Sequence, residues 1–287
     1  MTKKHKIFGI SAIIAALLLI LGFYVIKKPG QQQHKTAIAT PTLFVHGWGS
    51  SYRAEESMTN YAKQHNFTNS IIRADVSPAG KVSLWGTIKN GAKNPIIEVN
   101  LLNNKSLSTD ETNQAVAFKK SSNYIKNVIT ALQAKYQFKQ VNLVGHSMGN
   151  LQIAYYLLSN ADNPHMPRLN KQVSIAGHYN GFLGQQNAPR KIVLEPNGRP
   201  TQVDTGYRGL LGLRKKFPTN TAVLNIYGDT GKGNDDSVAV NSARSYRYLV
   251  EKRARSYQEK EITGPQAQHS KLHENTKVDR LLVNFLW

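Results

Sequence analysis

The chain has 287 residues, of which 37 are Lys or Arg and 17 are Asp or Glu, so its formal net charge is +20. It contains no cysteine, which excludes disulfide bonds, thiolate catalysis and cysteine-based zinc sites. The length suits one large domain or two small ones, with a substantial core in either case. The basic residues are dispersed and form no nucleic-acid motif, so the charge favours acidic lipid or an anionic cell envelope over nucleic acid as a neighbour.

The N-terminal segment has the pattern of a membrane anchor. Residues 7–26 carry no charge, and lysines flank them on both sides. A helix of this length spans about 30 Å, the thickness of one bilayer core. A cleavable signal peptide, which would give a secreted protein, has a shorter apolar region and a closer cleavage site. We therefore expect an uncleaved anchor in residues 1–28, a linker in residues 29–40 and, because short basic N-terminal tails stay cytoplasmic, an extracellular catalytic domain.

Residues 41–287 form one predicted domain, in which short apolar strands alternate with helices. This alternation predicts an α/β fold with a mostly parallel central sheet and helices on both faces. Alternating apolar and polar residues at 70–101 predict additional antiparallel strands. The main predicted strands are 42–46, 141–144, 172–176, 222–227 and 257–263. The predicted helices are 55–65, 113–136, the helix that follows residue 149, 238–251 and 277–287.

The segment 178–218 interrupts this alternation. It is rich in Gly, Pro and basic residues, and it connects two predicted core strands. A connection of this length in a compact domain is usually functional, so we expect a cap or lid over the substrate. An ordinary ordered insertion is the alternative.

Residues 145–149 read Gly-His-Ser-Met-Gly and form the most specific motif of the chain. An apolar strand precedes this G-x-S-x-G sequence and a helical apolar pattern follows it, which is the context of a nucleophile elbow. A serine at the tip of so tight a turn has a strained backbone, and its neighbours must be small for the strand and the helix to pass each other. Ser147 is therefore the predicted nucleophile.

The predicted base is a histidine near the C-terminal end of the sequence. A serine hydroxyl becomes a nucleophile when a histidine takes its proton and a carboxylate orients that histidine. In an elbow hydrolase the acid and then the histidine follow the serine along the chain. We choose His269, because it comes soon after the last predicted strand, and His273 is the alternative.

The predicted acid follows the strand at 222–227. We choose Asp235, because it stands three residues before Val238, where the next helix begins and packs on the core. Asp236 and Asp229 are the alternatives, and an aspartate without a catalytic role would hold a turn or cap a helix. The same loop has a composition that suits calcium, but its spacing differs from that of an EF-hand.

Acyl transfer also needs hydrogen-bond donors for the oxyanion. A His-Gly pair follows the first core strand, where it lets the backbone approach the nucleophile. We predict that the backbone N–H groups of Trp48 and Met148 form the oxyanion hole, and that the Trp48 side chain walls the acyl pocket. We expect His46 and His146 to support these loops through hydrogen bonds rather than to act in catalysis.

Together these motifs resemble the α/β-hydrolase superfamily and imply the α/β-hydrolase fold. Residues 256–275 and the sequence Ala-Gly-His-Tyr-Asn-Gly at 176–181 narrow the resemblance to a family of uncharacterised cell-surface α/β-hydrolases from Gram-positive bacteria. The similarity covers nearly everything after the linker. It implies an exported enzyme with a Ser-Asp-His triad and no cofactor. Members often have Asp-Gly in the acid loop, where this chain has Asp235-Asp236.

We therefore predict a monomeric serine hydrolase that cleaves a small-molecule or lipid-like carboxylic ester through an acyl-enzyme on Ser147. No long apolar lid helix is evident, so short-chain or soluble acyl esters are favoured. A thioesterase, amidase or acyltransferase would use the same triad, and a non-catalytic cell-surface binding domain would share the fold. A metal-dependent hydrolase built on His269 and His273 would need a glutamate directly after His269, which the sequence lacks.

Overall fold

The computed structural model describes residues 35–106 and 114–287. The anchor predicted at residues 1–28 lies outside the described residues, as does most of the predicted linker. Within the described ranges, no helix has the length and apolar character needed to cross a membrane. Near its start the described chain forms a two-residue strand, β1 (Thr36–Ala37), which pairs in parallel with β6 (Tyr136–Gln137).

An eight-stranded sheet forms the centre of the unit Thr36–Trp287. Its strands are β2 (Thr42–Val45), β3 (Ile71–Val76), β4 (Val82–Trp85), β5 (Ile96–Leu101), β7 (Gln140–His146), β8 (Arg168–Ile175), β9 (Ala222–Asp229) and β10 (Ser256–Thr263). Their spatial order is β10-β9-β8-β7-β2-β5-β3-β4. All neighbours are parallel except β3 and β4. The mostly parallel sheet is confirmed. Of the antiparallel strands expected at 70–101, β3 and β4 do pair in antiparallel fashion, whereas β5 is parallel to both of its neighbours, so the expectation is wrong for β5.

Helices lie on both faces of the sheet. Those of the described residues are α1 (Glu56–Gln64), α2 (Gln114–Lys135), α3 (Met148–Asn160), α4 (Thr205–Leu210), α5 (Leu213–Lys216), α6 (Val240–Arg244), α7 (Tyr246–Val250) and α8 (Thr276–Leu286). The single helix predicted at 238–251 is wrong, because it is interrupted at Ser245. The hydroxyl of Ser245 donates to the Ser242 carbonyl over 2.6 Å, and such side-chain bonds compete with regular helix geometry.

Two large apolar clusters, with a smaller third one around Tyr227, fill the space between the sheet and the helices. One cluster joins the sheet to α2 and α3, and the other joins the opposite face to α1 and α8. In β2, Leu43 and Val45 belong to the first cluster and Phe44 to the second, because side chains alternate between the two faces of a strand. Burial on both faces explains why the central strands are continuous apolar runs.

The segment 178–218 connects β8 to β9 and contains α4 and α5. Tyr207, Leu210, Leu213 and Phe217 are fully buried in the apolar cluster that includes α2 and α3. The later part of the segment is therefore packed into the domain. Its first residues lie at the carboxyl edge of the sheet, where β8 ends.

Candidate active site

Ser147 lies at the carboxyl end of β7, in the turn that leads into α3. Its φ of 51° and ψ of −122° are a combination that residues with a side chain rarely adopt. Flanking glycines make this turn possible. A Cβ on Gly149 would overlap with the carbonyl oxygen of Val45, and a Cβ on Gly145 would lie 2.6 Å from Asn150 Oδ1. The strand, sharp turn and helix expected of a nucleophile elbow are therefore all in place.

Ser147, His269 and Asp235 form one hydrogen-bonded chain. The Ser147 hydroxyl donates to His269 Nε2 over 2.9 Å, and His269 Nδ1–H donates to Asp235 Oδ2 over 2.8 Å. A neutral imidazole with its proton on Nδ1 satisfies both contacts. The three side chains come from separate loops, which follow β7, β9 and β10 at the carboxyl edge of the sheet. In this arrangement an imidazole can take the serine proton while a carboxylate orients it.

The carboxylate of Asp235 is held by its own loop. Its Oδ1 accepts hydrogen bonds from the backbone N–H groups of Val238, at 2.6 Å, and Ser237, at 3.0 Å. These contacts leave Oδ2 to face His269. The backbone N–H of His269 also donates to the Asp235 carbonyl over 2.8 Å, which ties the two loops together. Only 1% of Asp235 is exposed, so water does not compete for the carboxylate.

The two alternative aspartates hold the shape of this loop. Asp229 Oδ1 accepts from the backbone N–H groups of Gly231, Lys232 and Gly233 at 2.8 to 3.0 Å. Burial raises the pKa of the Asp229 carboxyl, but these hydrogen bonds outweigh it and lower the pKa overall. Asp236 is exposed and pairs with Lys232 Nζ at 3.2 Å.

In the described part of the chain, no three His, Asp or Glu side chains are grouped as a metal site would require.

Two further histidines, His146 and His273, pack beside His269. His146 Nε2–H donates to the backbone carbonyl of His269 over 3.0 Å. Burial, with the nearby His269 and His273 rings, holds the pKa of His146 well below its usual value, although the bond to the carbonyl opposes this shift. Burial also lowers the pKa of His273, whose ring meets that of His146 edge-on with centroids 4.9 Å apart. His146 thus supports the loop that carries His269, and His273 packs against the ring of His146.

The two residues predicted to supply the oxyanion donors line the same cavity as Ser147. Met148 is the first residue of α3, where backbone N–H groups have no carbonyl partner within the helix. Trp48 follows β2, and its indole N–H donates to the Lys105 carbonyl over 3.0 Å. Its side chain is 52% exposed at the cavity. Both residues therefore lie at the same cavity as Ser147.

His46 supports the loop that carries Trp48. Its Nδ1–H donates to the Gly47 carbonyl over 2.9 Å, and its Nε2 accepts the Leu101 N–H over 3.0 Å. Burial lowers the pKa of His46, although the bond to Gly47 opposes this. The neutral ring therefore links the loop after β2 to the end of β5. A Cβ on Gly47 would lie 3.0 Å from Ser147 Cβ, so the loop approaches Ser147 closely.

A cavity of about 480 Å³ opens beside Ser147. Aromatic and aliphatic side chains make up much of its wall, as in most small-molecule sites. Burial, and secondly the nearby His269, lowers the pKa of the wall residue His178 to about 3, so its imidazole is neutral. The lining residues are Trp48, Gln114, Phe118, Ser147, Met148, His178, Phe182, Ser237, Val238 and His269.

Six of these wall residues have no site role in the sequence-based prediction: Gln114, Phe118, His178, Phe182, Ser237 and Val238. The His178 ring lies 6.1 Å from the Phe118 ring and 5.6 Å from the Phe182 ring, measured between centroids. The i,i+4 spacing of Gln114 and Phe118 indicates a shared helix face, but not what that face meets. His178 and Phe182 begin the segment 178–218, so the start of this segment reaches the cavity.

Most of the chain matches a single family model. Residues 29–287 match the family described as "Alpha/beta hydrolase of unknown function (DUF915)". The chain belongs to this family. It is therefore an α/β hydrolase, and the superfamily and fold predicted from the elbow and its partner motifs are confirmed.

Two solved structures share this architecture over most of their length. A Listeria innocua protein is similar with a TM-score of 0.74 and 23% identity, covering 87% of this chain and 94% of that one. A candidate cell surface hydrolase from Lactobacillus plantarum is similar with a TM-score of 0.66 and 20% identity, covering 85% of this chain and 88% of that one. At these identities the likeness shows a shared fold. No protein of curated function matches the chain.

Proposed function

We propose that this α/β hydrolase is a serine hydrolase that cleaves carboxylic esters, with Ser147 as its nucleophile. The observation that carries the proposal is the chain of hydrogen bonds from Ser147 through His269 to Asp235. The three residues follow one another in the order serine, acid and histidine, as in other elbow hydrolases. The strained backbone of Ser147 adds support, because such strain clusters at active sites.

The reaction follows from these positions. His269 Nε2 takes the hydroxyl proton as Ser147 Oγ attacks the ester carbonyl carbon, and Asp235 stabilises the resulting imidazolium. The backbone N–H groups of Trp48 and Met148 stabilise the negative charge on the carbonyl oxygen. The imidazolium then protonates the leaving alkoxide, which gives an acyl-enzyme. A water molecule that loses its proton to the same imidazole releases the carboxylic acid and restores the serine.

The cavity favours a compact acyl group. Its volume of about 480 Å³ lies within the usual range for small-molecule sites. The rings of Phe118 and Phe182, with Met148 and Val238, offer an apolar wall to the acyl chain. The expected substrate is therefore a small-molecule or lipid-like ester with a short or compact acyl group.

A fluorophosphonate probe tests the nucleophile, because it modifies activated serines. We expect the full-length protein to be labelled and to hydrolyse p-nitrophenyl acetate or butyrate, and Ser147→Ala to abolish both reactions. Ser270→Ala is the matched control, since this serine is exposed and directly follows His269. That variant should be labelled like the wild type. Labelling that survives Ser147→Ala would overturn the assignment of the nucleophile.

A substrate panel tests the reaction class. Esters, thioesters and amides of graded acyl length should show the fastest turnover for short-chain esters. Turnover of only thioesters or amides, or only of emulsified long-chain lipid, would contradict the proposed substrate class. A wild-type protein that the probe does not label would instead favour a non-catalytic binding domain.

We also propose that the enzyme acts outside the cell and is tethered to the membrane. The apolar segment 7–26 supports the tether. The description of the Lactobacillus plantarum relative as a candidate cell surface hydrolase supports the location. The retained anchor, as opposed to secretion after cleavage, stays a prediction, as do the monomeric state and the contact with an anionic envelope.

A further inference from the structure

Basic residues gather at one edge of the sheet. The amino ends of the parallel strands all lie at the edge opposite to Ser147. Exposed basic residues stand at or before this edge in five strands: Lys93 before β5, Lys139 before β7, Arg168 at the start of β8, Lys216 before β9 and Arg255 before β10. None of these five forms an ion pair with any residue that the structure describes. We call this edge the basic edge.

The basic edge contains a pocket of about 230 Å³. It lies between the end of α3 and the segments that lead into β8 and β9. The Arg253 Nε–H donates to the Phe217 carbonyl over 2.7 Å, which fixes the guanidinium at the pocket wall. One acidic residue, Asp162, is among the lining residues and is outnumbered by three cations. The polar and charged lining includes Asn160, Asp162, Arg168, Lys216, Asn220 and Arg253.

The described chain enters the domain at this same edge. The strand β1 pairs with β6, which directly precedes β7. Ile38 and Thr40, which follow β1, line a groove together with Lys139 and Arg168. The segment predicted to anchor the protein thus joins the domain where the basic residues gather.

We infer that the basic edge is a docking surface for an anionic lipid membrane, and that its pocket receives the phosphate of a lipid headgroup. Guanidinium and ammonium groups are the usual partners of phosphate. Each basic residue near an anionic membrane surface raises the binding constant by about fivefold. In this orientation the catalytic edge faces away from the membrane. The inference rests on charge and chain entry, and it stands whether or not the site cleaves esters.

Fluorescence quenching tests the orientation, because the chain has no native cysteine to interfere with labelling. His165→Cys places a fluorophore on the loop before β8, outside the pocket lining, and Ser50→Cys places one after β2 at the catalytic edge. Both positions are exposed. The full-length protein is reconstituted in phosphatidylcholine nanodiscs with or without phosphatidylglycerol, with a spin-label quencher on the headgroups. We expect strong quenching at position 165 in the anionic discs only, and little at position 50.

Salt and charge reversal complete the experiment. Raised chloride should reduce the quenching at position 165, because salt screens exposed charges and weakens docking. Phosphate at the same ionic strength should reduce the quenching further, because it occupies the pocket. Reversal to Glu of Lys139, Arg168 and Lys216 should lower the equilibrium constant for docking by about a hundredfold or more. The matched control reverses Lys81, Arg190 and Lys191, which are also exposed but follow the carboxyl ends of strands. Equal quenching in neutral and anionic wild-type discs, or stronger quenching at position 50, would overturn the inference.

Discussion

Ser147 combines a strained backbone with a hydroxyl that already donates to an imidazole. Such backbone strain costs about 1 to 3 kcal/mol and persists only where the surroundings fix the residue. Here the Ser147 N–H donates to the Ile175 carbonyl over 2.9 Å, and the Ser147 carbonyl accepts the Asn150 N–H over 3.0 Å. Contacts on both sides therefore hold the residue in the orientation that aims its hydroxyl at His269.

Replacing each candidate for the triad acid in turn shows which aspartate orients His269. In Asp235→Asn the side chain keeps its shape, but an amide no longer stabilises the imidazolium or selects the Nδ1–H tautomer of His269. We expect kcat for p-nitrophenyl butyrate to fall by about ten-thousandfold. Asp236→Asn is the matched control, because Asp236 is exposed and pairs only with groups of its own loop in the described structure. Full activity in Asp235→Asn would show that another group orients the base.

The sequence narrows the candidates for the nucleophile and its histidine more closely than those for the acid. Ser147 stands in a motif whose strand and helix can be recognised locally, and His269 follows from its place after the last strand. Asp229 ends β9 and Asp235 and Asp236 follow it, and chain order does not separate these three aspartates. The separation comes from the backbone of the loop, which points two N–H groups at one oxygen of Asp235 and leaves the other oxygen for His269. Such a conformation has no simple sequence signature.

The secondary elements were predicted best where both faces are buried. β7 and β9 are almost continuously buried, so their apolar runs are unambiguous. In β3 buried residues alternate with partly exposed ones, because β3 lies next to the end of the sheet. That alternation predicts antiparallel pairing. It shows, however, that one face of β3 is covered better than the other, and it does not show the direction of the neighbouring strands. The break between α6 and α7 depends on serine hydroxyl contacts, which helical periodicity does not reveal.

The crossing of α3 over β2 makes Gly149 irreplaceable by a larger residue. In Gly149→Ala the new methyl group would overlap with the Val45 carbonyl oxygen, and the His46 carbonyl oxygen lies 2.9 Å away. Since both obstacles are backbone atoms, α3 must move away from the sheet. We expect the free energy of unfolding, measured by urea denaturation, to fall by about 3 kcal/mol or more, with loss of fluorophosphonate labelling.

Gly231→Ala is the control for this prediction. Gly231 has a φ of 98°, and a Cβ there meets no atom within 4 Å, so only backbone strain opposes the substitution. We expect a loss of about 1 kcal/mol. If Gly149→Ala costs no more than Gly231→Ala, the close approach of helix and strand does not limit the elbow.

At the scale of the whole molecule, the cavity is assembled from segments that are distant in sequence. Its wall combines residues of α2, the start of the segment 178–218 and the loop after β9 with the elbow. Each of these segments has an ordinary local pattern, and only their common position at the carboxyl edge gives them a shared role. The sequence therefore predicts the reaction class, whereas the shape of the substrate site follows from tertiary packing.

The pH dependence of whole-molecule stability should come in part from the buried carboxyl group of Glu55. Glu55 is fully buried, and its two carboxylate oxygens have no hydrogen-bond partner among the described residues. Burial, with the nearby Glu98 carboxyl second, raises the pKa of Glu55 from 4.5 to about 8. The folded protein thus holds this proton more tightly than the unfolded chain does. The stability that results is fully present below a pH of about 4.5 and is lost as the pH rises towards 8.

Glu55→Gln should remove the share of this decline that Glu55 causes, because an amide has no proton to lose. We expect the free energy of unfolding of the full-length variant, measured by urea denaturation across the pH range, to match the wild type in mild acid. Above the pKa of about 8 it should exceed the wild type by a margin on the order of 5 kcal/mol. Glu56→Gln, a change at the half-buried neighbour, should keep the wild-type pH dependence. A Glu55→Gln protein that loses stability with rising pH as steeply as the wild type would show that another buried group causes the decline.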